Sequence, residues 1–337
     1  METVSGLLGQ EGGRLRFSME LNENAYSSGA HVAAGDRWLT LMSMDEGGSY
    51  FEDYPEFELR AYPDVYDLDG DGKLDLICGS SDGRLYFYKG KGYNSRMITE
   101  EAEALTDAEG RQLSVSGYSA PVVCDFDGDG EADILCGAQD GKVYLFRGLG
   151  ELTFEAGVVV ADTGIEGQVF PDWGDLNGDG VDDLVCGSNS GKLLVLYGTE
   201  SGLPESGFTE LAVFGVDGDW LCPRIYDING DGIQDLLLGT FDGYVAKLLN
   251  QGVGGFASAG FIELDEMNYK GNYNAKFGNN CVPVAADING DGIDDLICGS
   301  LEYGASYPID SEYFPYKSEL MEQIKYFRDN YIYVGAH

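Results

Sequence analysis

Basic residues are scarce in this chain. Twenty Lys and Arg face 59 Asp and Glu over 337 residues, a formal net charge of −39 at pH 7. A surface of that sign repels nucleic acid and anionic lipid, so nucleic acid is excluded as a partner. Histidine is rarer still, with only His31 and His337. Zinc wants paired Cys or His at short spacing, and no such pairing exists here. His31 has no second His or nucleophile beside it and reads as structural. No apolar run is long enough to span a bilayer, so direct membrane insertion is not expected. The opening Met1-Glu2-Thr3-Val4-Ser5-Gly6 lacks the basic start and apolar core of a signal peptide. The expectation is therefore a mature chain or a piece of a longer one. No pairing pattern emerges among the seven cysteines, an odd number. Buried free thiols are expected rather than disulfides. Free thiols in an exported protein would point weakly to a low-oxygen setting.

What the chain does have is acid at fixed intervals. Asp67-Leu68-Asp69-Gly70-Asp71-Gly72-Lys73-Leu74-Asp75 recurs four more times. The copies are DFDGDGEAD from Asp125 to Asp133, DLNGDGVDD from Asp175 to Asp183, DINGDGIQD from Asp227 to Asp235 and DINGDGIDD from Asp287 to Asp295. Oxygen-bearing side chains stand at positions 1, 3, 5 and 9, with Gly at 4 and 6. The ligand set is thus Asp67, Asp69, Asp71 and Asp75 in the first copy, and Asp125, Asp127, Asp129 and Asp133 in the second. The third and fourth offer Asp175, Asn177, Asp179 and Asp183, then Asp227, Asn229, Asp231 and Asp235. The fifth offers Asp287, Asn289, Asp291 and Asp295. Alternate oxygens at this spacing can wrap a hard cation such as Ca²⁺, which takes 6–8 oxygen ligands. The glycines permit the left-handed turns that converge the carboxylates. Position 7 (Lys73, Glu131, Val181, Ile233, Ile293) varies freely, as expected if only its carbonyl is a ligand. Polar turns also favour Asp and Gly, but five copies at one spacing exclude chance. An EF-hand needs Glu at position 12, where this chain has Cys78, Cys136, Cys186, Leu238 and Cys298. A position that accepts Cys or Leu reads as a small buried apolar site. About five Ca²⁺ are expected, and they would offset about ten of the negative charges. On charge alone, the three loops with Asn at position 3 should bind more weakly than the two all-Asp loops.

The loops start at residues 67, 125, 175, 227 and 287, so neighbouring starts lie 58, 50, 52 and 60 residues apart. Pro63, Pro121, Pro171, Pro223 and Pro283 each precede a loop by four residues, as first residues of a short strand. A Leu/Ile-rich second strand follows each loop. Asp82-Gly83, Asp140-Gly141 and Asp242-Gly243 are tight-hairpin signals leading to a third strand, such as Lys142 to Phe146. Residues 152–160 are expected as a fourth. A period of 50–60 residues with about four strands predicts propeller blades. Residues 9–17 echo 79–87, so 1–60 are read as a partial first repeat without a loop. Residues 318–330 have helical apolar spacing with Ser318 as N-cap, and 331–334 read as a strand.

The repeat P-x-x-x-D-x-[DN]-G-D-G-x-x-D-[LI], running into a strand that ends in Gly, resembles the FG-GAP/VCBS family, which includes the integrin α-subunit propeller. The resemblance covers roughly residues 61–310. It implies an all-β fold: a calcium-stabilised propeller of about six or seven four-stranded blades, here with a short C-terminal helix. The expected division is a propeller over 1–312 and a helix-strand tail over 313–337 that could open a further domain. The resemblance also implies metal loops on one face and ligand contact on the other. There, residues 266–280, with Tyr269, Tyr273 and Phe277, are the richest candidate for sugar or peptide contact. Trp173 and Trp220 are expected either at that surface or packed between blades. No nucleophile–base pair is visible, so catalysis is not expected. The functional expectation is an extracellular or cell-surface calcium-binding propeller that contacts protein or carbohydrate. The competing expectation is an accessory or catalytic propeller of a polysaccharide-degrading enzyme.

Overall fold

The structure, a computed structural model, describes residues 16–17, 31–34, 37–40, 62–93, 97–99, 103–213, 216, 218–252, 255–264, 273–274, 279–287, 294–301 and 332–335. They are almost entirely strands and turns. Four antiparallel four-stranded sheets follow one another along the chain. The first is built from Tyr62–Tyr66, Asp75–Gly79, Leu85–Tyr88 and Glu103–Ala104. The second uses Ala120–Cys124, Asp133–Gly137, Lys142–Phe146 and Val158–Asp162. The third uses Val169–Gly174, Asp183–Ser188, Leu193–Leu196 and Thr209–Glu210. The fourth uses Leu221–Tyr226, Asp235–Thr240, Val245–Asn250 and Phe256–Phe261. A fifth sheet has three strands, Asn279–Ala286, Asp295–Leu301 and Ile332–Gly335. The first strands stand side by side in chain order, and that of the fifth sheet also meets that of the first. The arrangement is propeller-like, and each first strand is an inner strand.

Each metal-loop candidate joins an inner strand to a second strand, and its ninth residue opens that second strand. The second strands are buried from end to end. This is why Leu76-Ile77-Cys78 and its equivalents read as continuous apolar runs rather than alternating ones. The core lies between blades. Cys136 packs in the layer between the first and second sheets, Cys186 between the second and third, Leu238 between the third and fourth, and Cys298 between the fourth and fifth. The position that accepts Cys or Leu is therefore a blade-to-blade contact. All seven thiols are free. Burial raises those of Cys78, Cys136 and Cys186 far above the ordinary thiol range, which leaves them protonated.

The recurrent Gly and Pro are two halves of one joint. A Cβ on Gly79, Gly137, Gly187 or Gly239 would lie 1.9–2.2 Å from a carbonyl oxygen of the next blade, and 2.6–2.7 Å from Cδ of its proline. Only Gly admits so close a backbone approach. The prolines are not the first strand residues expected from the sequence. Pro63 and Pro121 are second, and Pro171 and Pro223 are third. An inner strand is paired on one side only, so a proline there loses no ladder bond when its nitrogen faces away from the partner.

The blade axis holds two layers that the repeat pattern did not announce. Tyr62, Ala120, Phe170, Trp220, Cys222 and Val282 form one buried cluster. Trp220 lies 4.4 Å from Phe170 and 6.2 Å from Tyr62, centroid to centroid. One step further along the inner strands, Arg224 joins three other sheets. Its guanidinium meets Asp64 Oδ1 at 3.1 Å and Asp172 Oδ1 at 3.0 Å, and it donates to the carbonyl of Pro283 at 3.3 Å. Val123 N–H donates to the other oxygen of Asp64 (2.7 Å), and Ile225 N–H to the other oxygen of Asp172.

Other expectations fared differently. Among the described residues, four complete four-stranded blades and the three-stranded fifth sheet are present, which is fewer than the six or seven blades expected over the whole chain. No α-helix lies among them, and none is long and apolar enough to cross a membrane. The helix expected at 318–330 falls outside the described residues. The strand expected at 331–334 is found as Ile332–Gly335, and it pairs with Asp295–Leu301 inside the fifth sheet. Residues 152–160 are not one strand. Thr153–Phe154 pairs in parallel with Thr106–Asp107, and the blade's fourth strand is Val158–Asp162. Gly157 stands between them, and a Cβ there would lie 2.6 Å from the Phe146 ring. Of the partial repeat over 9–17, only Arg16–Phe17 is described, as a short strand beside Glu263–Leu264.

Candidate metal centre

Four of the five acidic loops are described, and each is wound on its own backbone. The glycines at positions 4 and 6 take φ values between +71° and +92°, which turns successive N–H groups inward. In the third loop the first residue, Asp175, accepts from Gly178, Asp179 and Gly180 at 2.7, 3.1 and 2.8 Å. In the fourth, Asp227 accepts from Gly230, Asp231 and Gly232 at 2.8, 3.2 and 2.8 Å. The first two loops are more open. Asp67 accepts from Gly72 at 2.9 Å, and Asp125 from Gly130 at 3.1 Å.

Position 9 is a lock. Asp75, Asp133, Asp183 and Asp235 are buried, and both oxygens of each accept backbone N–H groups. One donor is the residue at loop position 2, namely Leu68, Phe126, Leu176 and Ile228, at 2.9–3.1 Å. The other lies 15 residues on, at Gly90, Gly148, Gly198 and Asn250, at 2.7–2.9 Å. Burial raises these four carboxyls above the ordinary range, and the N–H bonds offset only part of that rise. The lock explains a constraint not read from the sequence. A Cβ on Gly90, Gly148 or Gly198 would lie 2.0–2.3 Å from a loop carbonyl. The signal was present as Gly, Gly, Gly and Asn at one fixed distance from the closing Asp.

Carboxylates converge in the two all-Asp loops. One oxygen each of Asp67, Asp69 and Asp71 lie within 4.8 Å of one another, and so do oxygens of Asp125, Asp127 and Asp133. Among the described residues, the third and fourth loops bring no such three carboxylates together. Asp67 Oδ1 is buried and has no hydrogen-bond partner. A buried oxygen without a donor, set among other carboxylates, suits a hard cation. Asp129 and Glu131 are exposed on the second loop. At position 7 the side chains of Glu131 and Ile233 face solvent, while Lys73 turns back to Asp71 at 3.0 Å. Lys89 also bonds Asp71. Those bonds, Lys89 first and Lys73 second, hold the Asp71 carboxyl below its ordinary range. In the fifth loop Asp287 is described and Asp295 opens a strand, while Asn289, Asp291 and Ile293 lie outside the described residues.

A groove of ≈ 990 Å³ runs between the third and fourth loops, lined by Trp173, Asn177, Tyr197, Ile233 and Phe256 among others. Trp173 packs on Phe126 with ring centroids 4.8 Å apart. Trp173 lies near the end of its inner strand, and Trp220 just before the start of its own. Trp220 is buried in the axis, and Trp173 is half-buried at the loop face. The contact surface expected at 266–280, with Tyr269 and Phe277, lies almost wholly outside the described residues. Only the backbone of Tyr273–Asn274 and the start of Asn279–Ala286 belong to it.

Comparison with known proteins bears on the repeat. No curated protein matches the chain. Among solved structures, an Agrocybe aegerita lectin, described for its specific recognition of non-reducing terminal N-acetylglucosamine, is similar at 20% identity and a TM-score of 0.40. The match covers 72% of this chain and 60% of that one. The Photorhabdus luminescens Tc holotoxin pore is similar at 18% identity and a TM-score of 0.39, over 87% of this chain and 14% of that one. This chain therefore spans less than two thirds of the length of either. The FG-GAP-like repeat matches three times, at residues 67–136, 125–186 and 227–298, and these stretches together take in more than half of the sequence. They contain the four described loops, and the chain belongs to the FG-GAP-like repeat family.

Proposed function

We propose that this propeller binds calcium through its repeated loops and presents a rigid surface to a protein or carbohydrate ligand outside the cell or at its surface. The observation that carries the calcium reading is Asp67 Oδ1, buried without a donor beside the carboxylates of Asp69 and Asp71. All the donors are hard oxygens, the set that Ca²⁺ selects. In each loop the side chains at positions 1, 3 and 5 and the carbonyl at position 7 would hold the ion. Position 9 would contribute from behind while keeping its backbone bonds. The role is structural: without an ion the clustered acids repel and oppose the fold.

The scale of that role follows from linkage. Extracellular calcium modules have Kd values of about 10⁻⁴–10⁻³ M. At ~1 mM Ca²⁺ and a Kd of ~0.1 mM, each site adds about 1.4 kcal/mol, so five would add about 7 kcal/mol. That rivals the whole stability of a typical domain, about 5–15 kcal/mol. Thermal melts across a calcium titration test this reading, with calorimetry for the count. EDTA should lower the melting temperature steeply and Ca²⁺ should restore it, with about five sites bound. A melting point indifferent to calcium, or full replacement by Mg²⁺ at equal affinity, would sink it.

A further inference from the structure

The residue 22 positions after the first Asp of each loop is Lys89, Arg147, Tyr197 and Leu249 in the first four repeats. It is basic in the two repeats whose loop has Asp at position 3, Asp69 and Asp127. It is uncharged in the third and fourth, whose loops have Asn there, Asn177 and Asn229. The structure supplies the contact behind this pairing. Lys89 Nζ bonds Asp69 Oδ2 and lies 3.0 Å from Asp71 Oδ2. Arg147 Nε bonds Asp127 Oδ2 at 3.1 Å. In both repeats the basic side chain reaches the position-3 carboxylate, the one group that distinguishes these loops from the others.

Backbone geometry fixes this delivery. Each of the four residues directly precedes the one whose N–H bonds the closing Asp of its own loop: Gly90, Gly148, Gly198 and Asn250. The end of the third strand is therefore pinned to the loop in the same register four times. A second difference runs in parallel. The first Asp of the third and fourth loops accepts three backbone N–H groups, as described above. Asp67 and Asp125 each accept one. The third and fourth loops are gathered by their own backbone, and the first two by an added cation.

We propose that Lys89 and Arg147 are resident counter-cations of the first two loops, which keep those loops closed without metal and weaken their hold on a divalent ion. The second part rests on the calcium reading above; the first does not. An ion entering either loop meets a fixed positive charge on one of its own ligands, and it must displace that charge or share the carboxylate with it. The all-Asp loops are then not the tightest sites, despite their extra acid. The third and fourth loops have three carboxylates each, held by backbone N–H groups, and an ion entering them meets no such side-chain charge. The protein would carry two classes of site in one ring: two loops partly neutralised by a basic side chain, and two gathered by backbone and open to the ion.

The test is a cycle of Asp69→Asn, Lys89→Met and the double variant, melted in EDTA and in saturating Ca²⁺, with calorimetric titration alongside. Lys89→Met should lower the melting temperature in EDTA by about 2–4 °C. It should also tighten one calcium site by about tenfold, since a unit charge a few ångströms from a divalent ion is removed. Asp69→Asn with Lys89→Met recreates the pattern of the third loop and should recover most of the EDTA loss. Arg147→Met should behave as Lys89→Met does. Additive effects of the two single changes in EDTA would overturn the pairing. An unchanged calcium titration in Lys89→Met would overturn the weakening of metal binding. A wild-type melt indifferent to calcium, with the coupling intact in EDTA, would sink the calcium reading and leave the counter-cation standing.

Discussion

The axis and the loop face both crowd carboxylates, and they neutralise them by opposite means. At the axis, Asp64 and Asp172 are almost fully buried and share Arg224, with backbone N–H groups on their remaining oxygens. At the loop face, most of the acids at positions 1, 3 and 5 are open to water, and position 9 alone is fully enclosed. A charge buried for the life of the fold needs a partner that cannot leave. A charge at the surface can be left for an exchangeable ion. The first two loops stand between these cases, with a cation that belongs to the chain but is only half-buried.

The largest break in this comparison is Arg224→Met. It leaves two buried carboxylates facing each other with no counter-charge. Removing one member of a buried ion pair costs about 3–5 kcal/mol. The loss should appear equally in EDTA and in calcium, because no loop is touched. A denaturant melt of the variant in both buffers checks it. A loss confined to one buffer would mean that the axis and the loops are coupled, contrary to the division drawn here.

The loops were legible in the sequence and the axis was not, for a physical reason. A metal loop is local: its donors lie within nine residues, and the period repeats the pattern until chance is excluded. Asp64, Asp172 and Arg224 come from three repeats, and their meeting depends on how blades close around the axis. A trace exists in hindsight. The residue after the repeat's proline is Val122 and Val284 in two blades but Asp64, Asp172 and Arg224 in the others. A charge at a position that is apolar elsewhere in the repeat marks a group that needs a partner from outside its own repeat. Charge counting within a loop has the same limit: it does not see Lys89 and Arg147, which reach Asp69 and Asp127 from the end of the third strand. The Cys-or-Leu position was read correctly, since its burial needs only the local strand pattern. Pro placement was misread because the unpaired side of an inner strand is a property of the assembled ring.

A smaller effect sharpens the axis itself. Burial pushes the Asp172 carboxyl from 3.8 up to about 6, with Arg224 opposing and Asp64 adding to the rise. The folded protein then holds this proton more tightly than the unfolded chain. The stability it contributes is full below the ordinary carboxylate value and is lost as pH rises from about 4 through about 6. The loss is on the order of 1–3 kcal/mol. Asp172→Asn removes the titration at a pH-independent cost, because its single oxygen cannot accept from both Ile225 and Arg224 as the two carboxylate oxygens do. Its stability relative to wild type should therefore improve between pH 4 and 6. Parallel pH profiles for the two proteins would show that Asp172 does not titrate in that window.

The smallest expected effect separates the two kinds of loop residue. Asp129 is exposed at position 5, and its one backbone bond, from Glu131 at 2.8 Å, is also exposed. Asp183 is fully buried at position 9, with Leu176 and Gly198 on its two oxygens. Asp129→Ala should cost about 1.4 kcal/mol in millimolar calcium, the contribution of one site. In EDTA it should cost nothing measurable, since it also removes the repulsion between Asp129 and Asp133. Asp183→Asn should cost about 1–3 kcal/mol in either buffer, because its amide NH₂ would face a backbone N–H that has lost its acceptor. Paired melts of both variants with and without calcium read the difference directly. If Asp129→Ala is as damaging in EDTA as in calcium, position 5 is part of the scaffold. If Asp183→Asn is harmless in EDTA, the lock is not what holds the loop to its strand.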